Sequence, residues 1–317
     1  MKRNIISACA FLLILAVLLG GLSALFFPKG MELEDGIQEP ELYGFLAEPE
    51  SSLDVVVLGD SIPYCSMAPA RLWQSFGYTS YVCASTAQKL CQSQALLKQF
   101  LAHQKPKVVL LETDQLYLDM TLPDVLSCRA SQVLPVLQYH DNWKFVRLSQ
   151  MLRAPSYDSP TAQKGYHLRK TIQPLEPVPY MLPSEETEPI SPAAKKIVAE
   201  ISALCRRNGA QLVLYTAPNA ATWNTPRHNA AQALAHGLGI PYLDGNLEVK
   251  DIIWQADTLD AGEHLNIMGA EKVTAWLGEY LSSTGLLEDK RQDPDYAAWE
   301  EAVQEFDRRV NDSENYY

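Results

Sequence analysis

Short apolar runs that alternate with helical segments constrain this chain more than any other feature. Asp54-Val55-Val56-Val57-Leu58 halts at Gly59. Four further strand-length segments follow: Tyr81-Val82-Cys83, Val108-Val109-Leu110-Leu111, Gln211 to Tyr215, and Pro241-Tyr242-Leu243-Asp244. Between and after them the spacing predicts helices over 67–76, 88–103, 195–207, 230–236 and 269–281. The second of these sets Leu90, Leu97 and Leu101 on one face, with Leu96 and Phe100 beside them. Asn208-Gly209 closes the third and Gly237-Leu238-Gly239 the fourth. Strands alternating with helices call for a parallel sheet covered on both faces. Right-handed crossovers make this an α/β fold, a three-layer α/β/α sandwich on a five-stranded parallel sheet.

The alternation fails between Tyr117 and Ser191, a proline-rich stretch that is too long for a plain loop. It reads as an insertion at about 118–191, built of short helices and extended pieces that cover the carboxyl edge of the sheet. Residues 31–50 are acidic and read as a linker, and 51–287 as the main domain. The charged segment 288–317 reads as an acidic tail, with Trp299, Val303 and Phe306 a short stripe on a peripheral helix. Asn311-Asp312-Ser313 matches a glycosylation acceptor, a pattern too short to mean much alone.

At the N-terminus, Lys2 and Arg3 precede an almost unbroken apolar stretch from Ile5 to Phe27. At ~1.5 Å per residue it spans the ~30 Å hydrocarbon core of a bilayer. Residues 1–30 are therefore expected to be an uncleaved signal anchor, with a cleaved signal peptide as the competing reading. The basic pair stays cytoplasmic and the rest of the chain lies outside the cell membrane. A net charge of −12 argues against nucleic acid as a partner. Of six cysteines, Cys9 lies in the apolar stretch and five lie beyond it, with no CxxC and no zinc-ligand spacing. No cofactor or metal is implied, and one or two disulfides are compatible with an oxidising compartment.

Two short motifs carry the chemistry. Gly59-Asp60-Ser61 delivers a serine hydroxyl to the carboxyl end of the first strand, where open α/β sheets place their sites. Asp-Ser after a strand is also an ordinary helix cap. Far downstream lies Asp260-Ala261-Gly262-Glu263-His264-Leu265-Asn266. A serine, a histidine and a carboxylate suffice for nucleophilic acyl chemistry, with the histidine as base and the acid fixing its tautomer.

The pairing of these motifs resembles the SGNH/GDSL hydrolase superfamily over roughly residues 51–287. The resemblance implies a flavodoxin-like SGNH fold with catalytic Ser61 and His264. The acid usually stands three residues before the histidine, which here is Ala261. Asp260 is the preferred acid, with Glu263 and Asp257 nearby. The resemblance also implies an oxyanion hole built from the serine N–H, a glycine after the second strand and an asparagine after the third. Here Cys83-Ala84-Ser85-Thr86-Ala87-Gln88 lacks the glycine, so the N–H of Ala84 or Ser85 is the expected donor. Asp114 stands in the asparagine position, where an ionised carboxylate would repel an oxyanion. Gln88 is the substitute donor to test, or else a helix-start amide.

Two aromatic and basic clusters complete the candidates. Tyr139-His140-Asp141-Asn142-Trp143-Lys144 falls in the insertion, and Trp223-Asn224-Thr225-Pro226-Arg227-His228 follows the fourth strand. Both resemble segments of extracytoplasmic SGNH proteins linked to polysaccharide or teichoic-acid acylation. His140, Trp143, Trp223, Asn224, Arg227 and His228 are thus substrate-contact candidates, Arg227 for an anion and the tryptophans for sugar faces. The competing account is that Trp143 and Trp223 pack the insertion onto the core while the polar residues cap helices. Single-anchor relatives resemble alginate-acetylation and teichoic-acid D-alanylation proteins, which work beside a membrane-bound O-acyltransferase. The expected function is an anchored serine esterase or O-acyltransferase acting on acyl esters of a cell-envelope glycan. A non-catalytic envelope scaffold or glycan-binding protein is the alternative.

Overall fold

The computed structural model describes residues 2–144, 146–157, 161–176 and 179–312. Its centre is a five-stranded, all-parallel sheet in the order β2-β1-β3-β4-β5. The strands are β1 (Val55–Gly59), β2 (Ser80–Ala84), β3 (Val108–Glu112), β4 (Gln211–Thr216) and β5 (Tyr242–Asp244). Every residue of β1 is buried, because β2 and β3 flank it and helices cover both faces. Successive side chains point to opposite faces, so Val56 and Leu58 enter one core and Val55 and Val57 the other.

The helices are α1 (Lys2–Phe26), α2 (Pro40–Tyr43), α3 (Ser61–Ser66), α4 (Pro69–Phe76), α5 (Leu90–His103), α6 (Leu122–Val133), α7 (Val136–Tyr139) and α8 (Leu148–Met151). After the insertion come α9 (Pro192–Arg207), α10 (Thr225–Leu238), α11 (Gly245–Glu248), α12 (Ile267–Thr284) and α13 (Ala297–Asn311). Leu97 and Phe100 of α5 with Ile197 and Ile201 of α9 pack one face of the sheet. Ile62 of α3 with Val273 and Leu277 of α12 pack the other. α10 begins at Thr225, earlier than the sequence pattern suggests, because the Asn224 side chain caps it by accepting from Arg227 N at 2.9 Å.

Three expectations need correction. The tail is not peripheral: Trp299, Val303 and Phe306 are 3%, 4% and 0% exposed. They close the flank of α4, where Trp299 stacks on Trp73 at 5.4 Å. The 31–50 stretch is not a free linker either. Phe45 is fully buried against Tyr81 and Phe100, and Tyr81 Oη donates to the Glu41 carbonyl at 2.6 Å. The segment packs on the Tyr81 side chain of β2, while the open backbone of that edge strand is taken up by the insertion, Val82 N donating to Lys164 O at 2.9 Å. Lastly, the insertion divides. α6 packs on α5 and α7 on α1, and the start of α6 lies beside the chain leaving β2, where Asp124 pairs with Lys89 at 2.9 Å. The extended strip after them runs along the carboxyl edge: His167 N donates to Tyr64 O at 2.7 Å, and Ile267 N to Arg169 O at 2.8 Å.

α1 is long and apolar enough to cross a membrane, with none of its most apolar window buried in the protein. Ser313 of the glycosylation pattern lies outside the described residues. Cys91 on α5 and Cys128 on α6 bring their sulfurs to 2.6 Å.

This packing generates two predictions. Phe306→Ala should cost about 3–5 kcal/mol, read as a lowered urea midpoint at unchanged slope, because the ring leaves a cavity. A loss below about 1 kcal/mol would mean that α13 is not docked. Diamide oxidation should consume the Cys91 and Cys128 thiols together and give a peptide pair lighter by two hydrogens, whereas Cys91→Ser should leave Cys128 reduced.

Candidate active site

β1 ends where a side chain cannot fit. A Cβ on Gly59 would collide with the Pro63 ring and press on Glu112. The chain then turns into α3, and Asp60 is the cap: its Oδ1 accepts from Ile62 N at 3.0 Å. That leaves Ser61, the first residue of α3, with its hydroxyl uncommitted to capping. Ser61 Oγ lies 2.7 Å from His264 Nε2. His264 Nδ1 lies 2.6 Å from Asp260 Oδ2, and His264 N donates to Asp260 Oδ1 at 2.7 Å. One carboxylate therefore fixes both the ring and the backbone of the histidine.

The loop between them explains the unusual spacing. An antiparallel bridge pairs Thr258 with Leu265, and Leu259 N donates to His264 O at 2.9 Å. The residues between must reverse direction in a tight loop. Ala261 does so at φ 61° and Gly262 at φ 103°. The left-handed Ala261 takes up one residue of chain, which lets Asp260 face the imidazole from four positions back. Asp257 is fully buried and spent elsewhere, held by Lys272 Nζ at 2.6 Å and by Ile253 N at 2.7 Å. Glu263 is exposed.

Electrostatics favour this arrangement. Burial alone would lower the His264 pKa, but the Asp260 carboxylate outweighs it and the pKa rises above the ordinary imidazole value. Burial raises Asp260, yet bonds from the His264 ring and N–H prevail and hold it below the usual carboxylate range. Asp260, Glu263 and His264 lie close enough together to hold a cation. Both ring nitrogens of His264 are, however, already engaged by Asp260 and Ser61.

The remaining candidates separate by environment. Ala84 is buried at the end of β2, and Ser85 follows it with its hydroxyl on Gln88 Oε1 at 3.2 Å. Gln88 is not a spare donor. It is 2% exposed, and its amide nitrogen donates to Cys83 O at 3.3 Å and Ser93 Oγ at 2.8 Å. It is the helix-start amide. Asp114 sits at the carboxyl edge beside Thr222 Oγ1 at 3.2 Å and Arg227 Nη1 at 3.5 Å. Burial raises its pKa and Arg227 opposes that. Arg227 is thereby committed to internal partners, with Glu188 at 3.1 Å and the Tyr117 ring beneath it at 4.4 Å. Trp223 is 2% exposed and donates to Asp244 at 3.1 Å, so it offers no face to a sugar. His228 Nδ1 lies 2.6 Å from the same Asp244 carboxylate, and Asn224 caps α10. Packing and capping thus account for the 223–228 cluster. His140 and Trp143 are exposed beside the end of α1, apart from the triad: Asn142 between them donates to Phe26 O at 2.8 Å.

Several residues at the site escape a motif search. Tyr64 stacks on His167 at 4.3 Å and its hydroxyl meets Thr86 Oγ1 at 3.1 Å. Burial raises its pKa, with hydrogen bonds from Thr86 and Ser61 and the Arg169 charge pulling it back. Its position three residues after Ser61 on a helix is the signal that could have found it. Behind the nucleophile, Asp60 is pushed up to about 6 by burial and by the Asp114 charge. Glu112 is raised further by burial and by both aspartates. A glutamate at the end of an apolar strand was visible, but its closeness to Asp60 depends on the register of β1 against β3.

Fold and site together define a doubly wound α/β/α protein with a Ser-His-Asp constellation at the carboxyl edge of its sheet. No family model matches the chain, and no curated protein matches it. Among solved structures it is similar to a Bacteroides fragilis protein assigned as an acylhydrolase, at 14% identity over 79% of this chain and 97% of that one, TM-score 0.42. It is also similar to a GDSL-like lipase from Bacteroides thetaiotaomicron, at 12% identity over 74% and 89%, TM-score 0.38. A lipase/acylhydrolase from Enterococcus faecalis matches at 11% identity over 73% and 97%, TM-score 0.39. Likeness this distant transfers no residue roles, and the chemistry rests on the site's own geometry.

The raised His264 pKa generates a prediction. A general base must be neutral, so the acid limb of kcat/KM for an ester should lie above the ordinary imidazole value of ~6.5. Asp260→Asn removes the carboxylate that raises it. The limb should then move to lower pH while the plateau falls on the order of 10³-fold or more. A limb that stays in place would remove Asp260 from the account.

Proposed function

We propose that this protein is a membrane-anchored extracytoplasmic serine esterase or O-acyltransferase of SGNH type. The observation that carries the reading is the continuous chain Ser61 Oγ–His264 Nε2 at 2.7 Å and His264 Nδ1–Asp260 Oδ2 at 2.6 Å. Ser61 Oγ attacks the acyl carbonyl while its proton passes to His264 Nε2. The imidazolium, paired with Asp260, returns that proton to the departing alkoxide as the ester C–O bond breaks. The acyl group now sits on Ser61. Water or a sugar hydroxyl loses its proton to His264, attacks the acyl carbon, and Ser61 regains its hydrogen as it leaves. Hydrolysis and transfer share every step except the identity of this second nucleophile. The Ser61 N–H is the proposed oxyanion donor, since Gln88 is committed, Ile62 N is held by Asp60 and Asp114 is acidic.

A cell-envelope glycan is the proposed acyl carrier. Support comes from a cleft of about 350 Å³ beside Ser85 and Gln88 after β2, which the triad residues do not line and which would hold the carrier chain away from the acyl carbon. Amides and hydroxyls line it, including Gln92, Gln99, Gln132 and Ser131, with Tyr43, Tyr139 and Leu96 as walls and Glu39 as an acid at its margin. Such a lining suits an uncharged polyol better than an anion. The acceptor of transfer would reach the site from the envelope, and a membrane-bound O-acyltransferase is the proposed acyl source.

Full-length protein should hydrolyse p-nitrophenyl acetate and be labelled by a fluorophosphonate at Ser61, with both signals lost in Ser61→Ala. Equal behaviour of the two proteins would favour the scaffold reading instead.

A further inference from the structure

The insertion touches none of Ser61, His264 and Asp260 through its helices, and the outer surface of those helices is apolar. On α6, Leu122, Leu126 and Val133 are 70%, 57% and 78% exposed. At ~100° per residue they fall within about 40° of one another and form an apolar stripe, with Arg129 at its margin turned to Glu200. The other side of α6 is already satisfied, for Val125 and Cys128 pack against the core. Farther on, Trp143, Leu148 and Leu152 are 63%, 67% and 74% exposed. A soluble helix buries one face; α6 is apolar on two.

The position of this surface says what covers it. Residues 2–18 of α1 are bare, contact with the protein begins at Leu19, and Ser23 is buried. The bare part measures about 25 Å, close to the ~30 Å hydrocarbon core. Beyond it the insertion grips the helix end. Val136 N donates to Ser23 Oγ at 3.1 Å, Asn142 Nδ2 to Phe26 O at 2.8 Å, and Tyr157 Oη to Pro28 O at 3.0 Å. The Tyr139 ring meets Phe27 edge-on at 5.6 Å. Whatever depth the end of α1 occupies, α7 and the turn after it share. Lys144 lies 5.9 Å from the Trp143 ring, and exposed Arg147 and Arg153 follow in the same stretch, the aromatic and basic mixture that suits lipid headgroups.

We propose that the exposed face of α6 to α8 lies in the membrane interface, with the phospholipid bilayer as its occupant. It rests on the anchored reading given above. The domain then does not swing on a tether, and the sheet edge carrying Ser61 keeps a fixed height and tilt over the membrane.

Brominated phospholipid vesicles test this with the full-length protein. The chain is reconstituted in phosphatidylcholine and phosphatidylglycerol bilayers brominated near the headgroup, and tryptophan emission is compared with unbrominated vesicles. Trp143 should be quenched, and most of the quenching should vanish in Trp143→Phe. It should return when Leu126→Trp is added to that variant. Quenching that Trp143→Phe leaves unchanged, or an indole introduced by Leu126→Trp that lipid does not quench, would overturn the proposal and assign the stripe to a protein partner. Flotation of the same vesicles separates the two readings: protein that does not float overturns the anchor and this inference together, whereas floating protein without Trp143 quenching overturns only the inference.

Discussion

Burial of β1 on both faces is the constraint from which the rest of the molecule follows. Val55 to Leu58 have no exposed surface, and the strand lies between β2 and β3 with helices above and below. Each such side chain contributes ~1.5–3 kcal/mol when fully buried, so neither the register nor the direction of β1 is free to drift. Fixing β1 fixes the point where it ends. Gly59 has no room for a Cβ, the chain must turn, and Ser61 emerges at a determined place on the sheet edge. His264 arrives there from 203 residues away because α12 is bound to the same core through Val273 and Leu277.

Around this fixed serine the charges are arranged in two groups. On the solvent side, Asp260 and His264 stabilise each other's ionised forms, the carboxylate lowered and the imidazole raised. Behind the serine, burial raises Asp60, Glu112 and Asp114; the Asp114 charge adds to this at Asp60, both aspartates at Glu112, and Glu188 at Asp114. Arg227 offsets part of the rise at Asp114 and is therefore not available to an anionic ligand. An acidic group such as Asp114 is a poor partner for an oxyanion, and Ile62 N is already held by Asp60, so the proposed donor is the Ser61 N–H.

Much of this was legible in the chain. The strands were readable because residues buried on both faces form unbroken apolar runs, and helix ends carried ordinary caps and glycines. Ser61, Asp260 and His264 could be named because Gly59-Asp60-Ser61 at a strand end and Asp260 with His264 before the last helix together supply a nucleophile, an acid and a base. What stayed hidden depended on tertiary packing. Gln88 reads as a donor until Ser93 and Cys83 are seen to occupy it. Trp223 reads as a sugar platform until Asp244 and Tyr117 bury it. The α13 stripe of Trp299, Val303 and Phe306 has helical spacing, but only the open flank of α4 shows why it docks. Trp143 stands out as an aromatic among polar residues, but its place beside the end of α1 depends on contacts between distant segments.

The central claim is that Ser61, His264 and Asp260 act as one hydrogen-bonded unit. Removing parts of a unit gives losses that do not multiply. The direct measurement is kcat/KM for a p-nitrophenyl ester with Ser61→Ala, His264→Ala and the double variant of the full-length protein. The account predicts that the double variant is no slower than the worse of the two single variants. Losses that multiply in the double variant would show two independent contributions and contradict it.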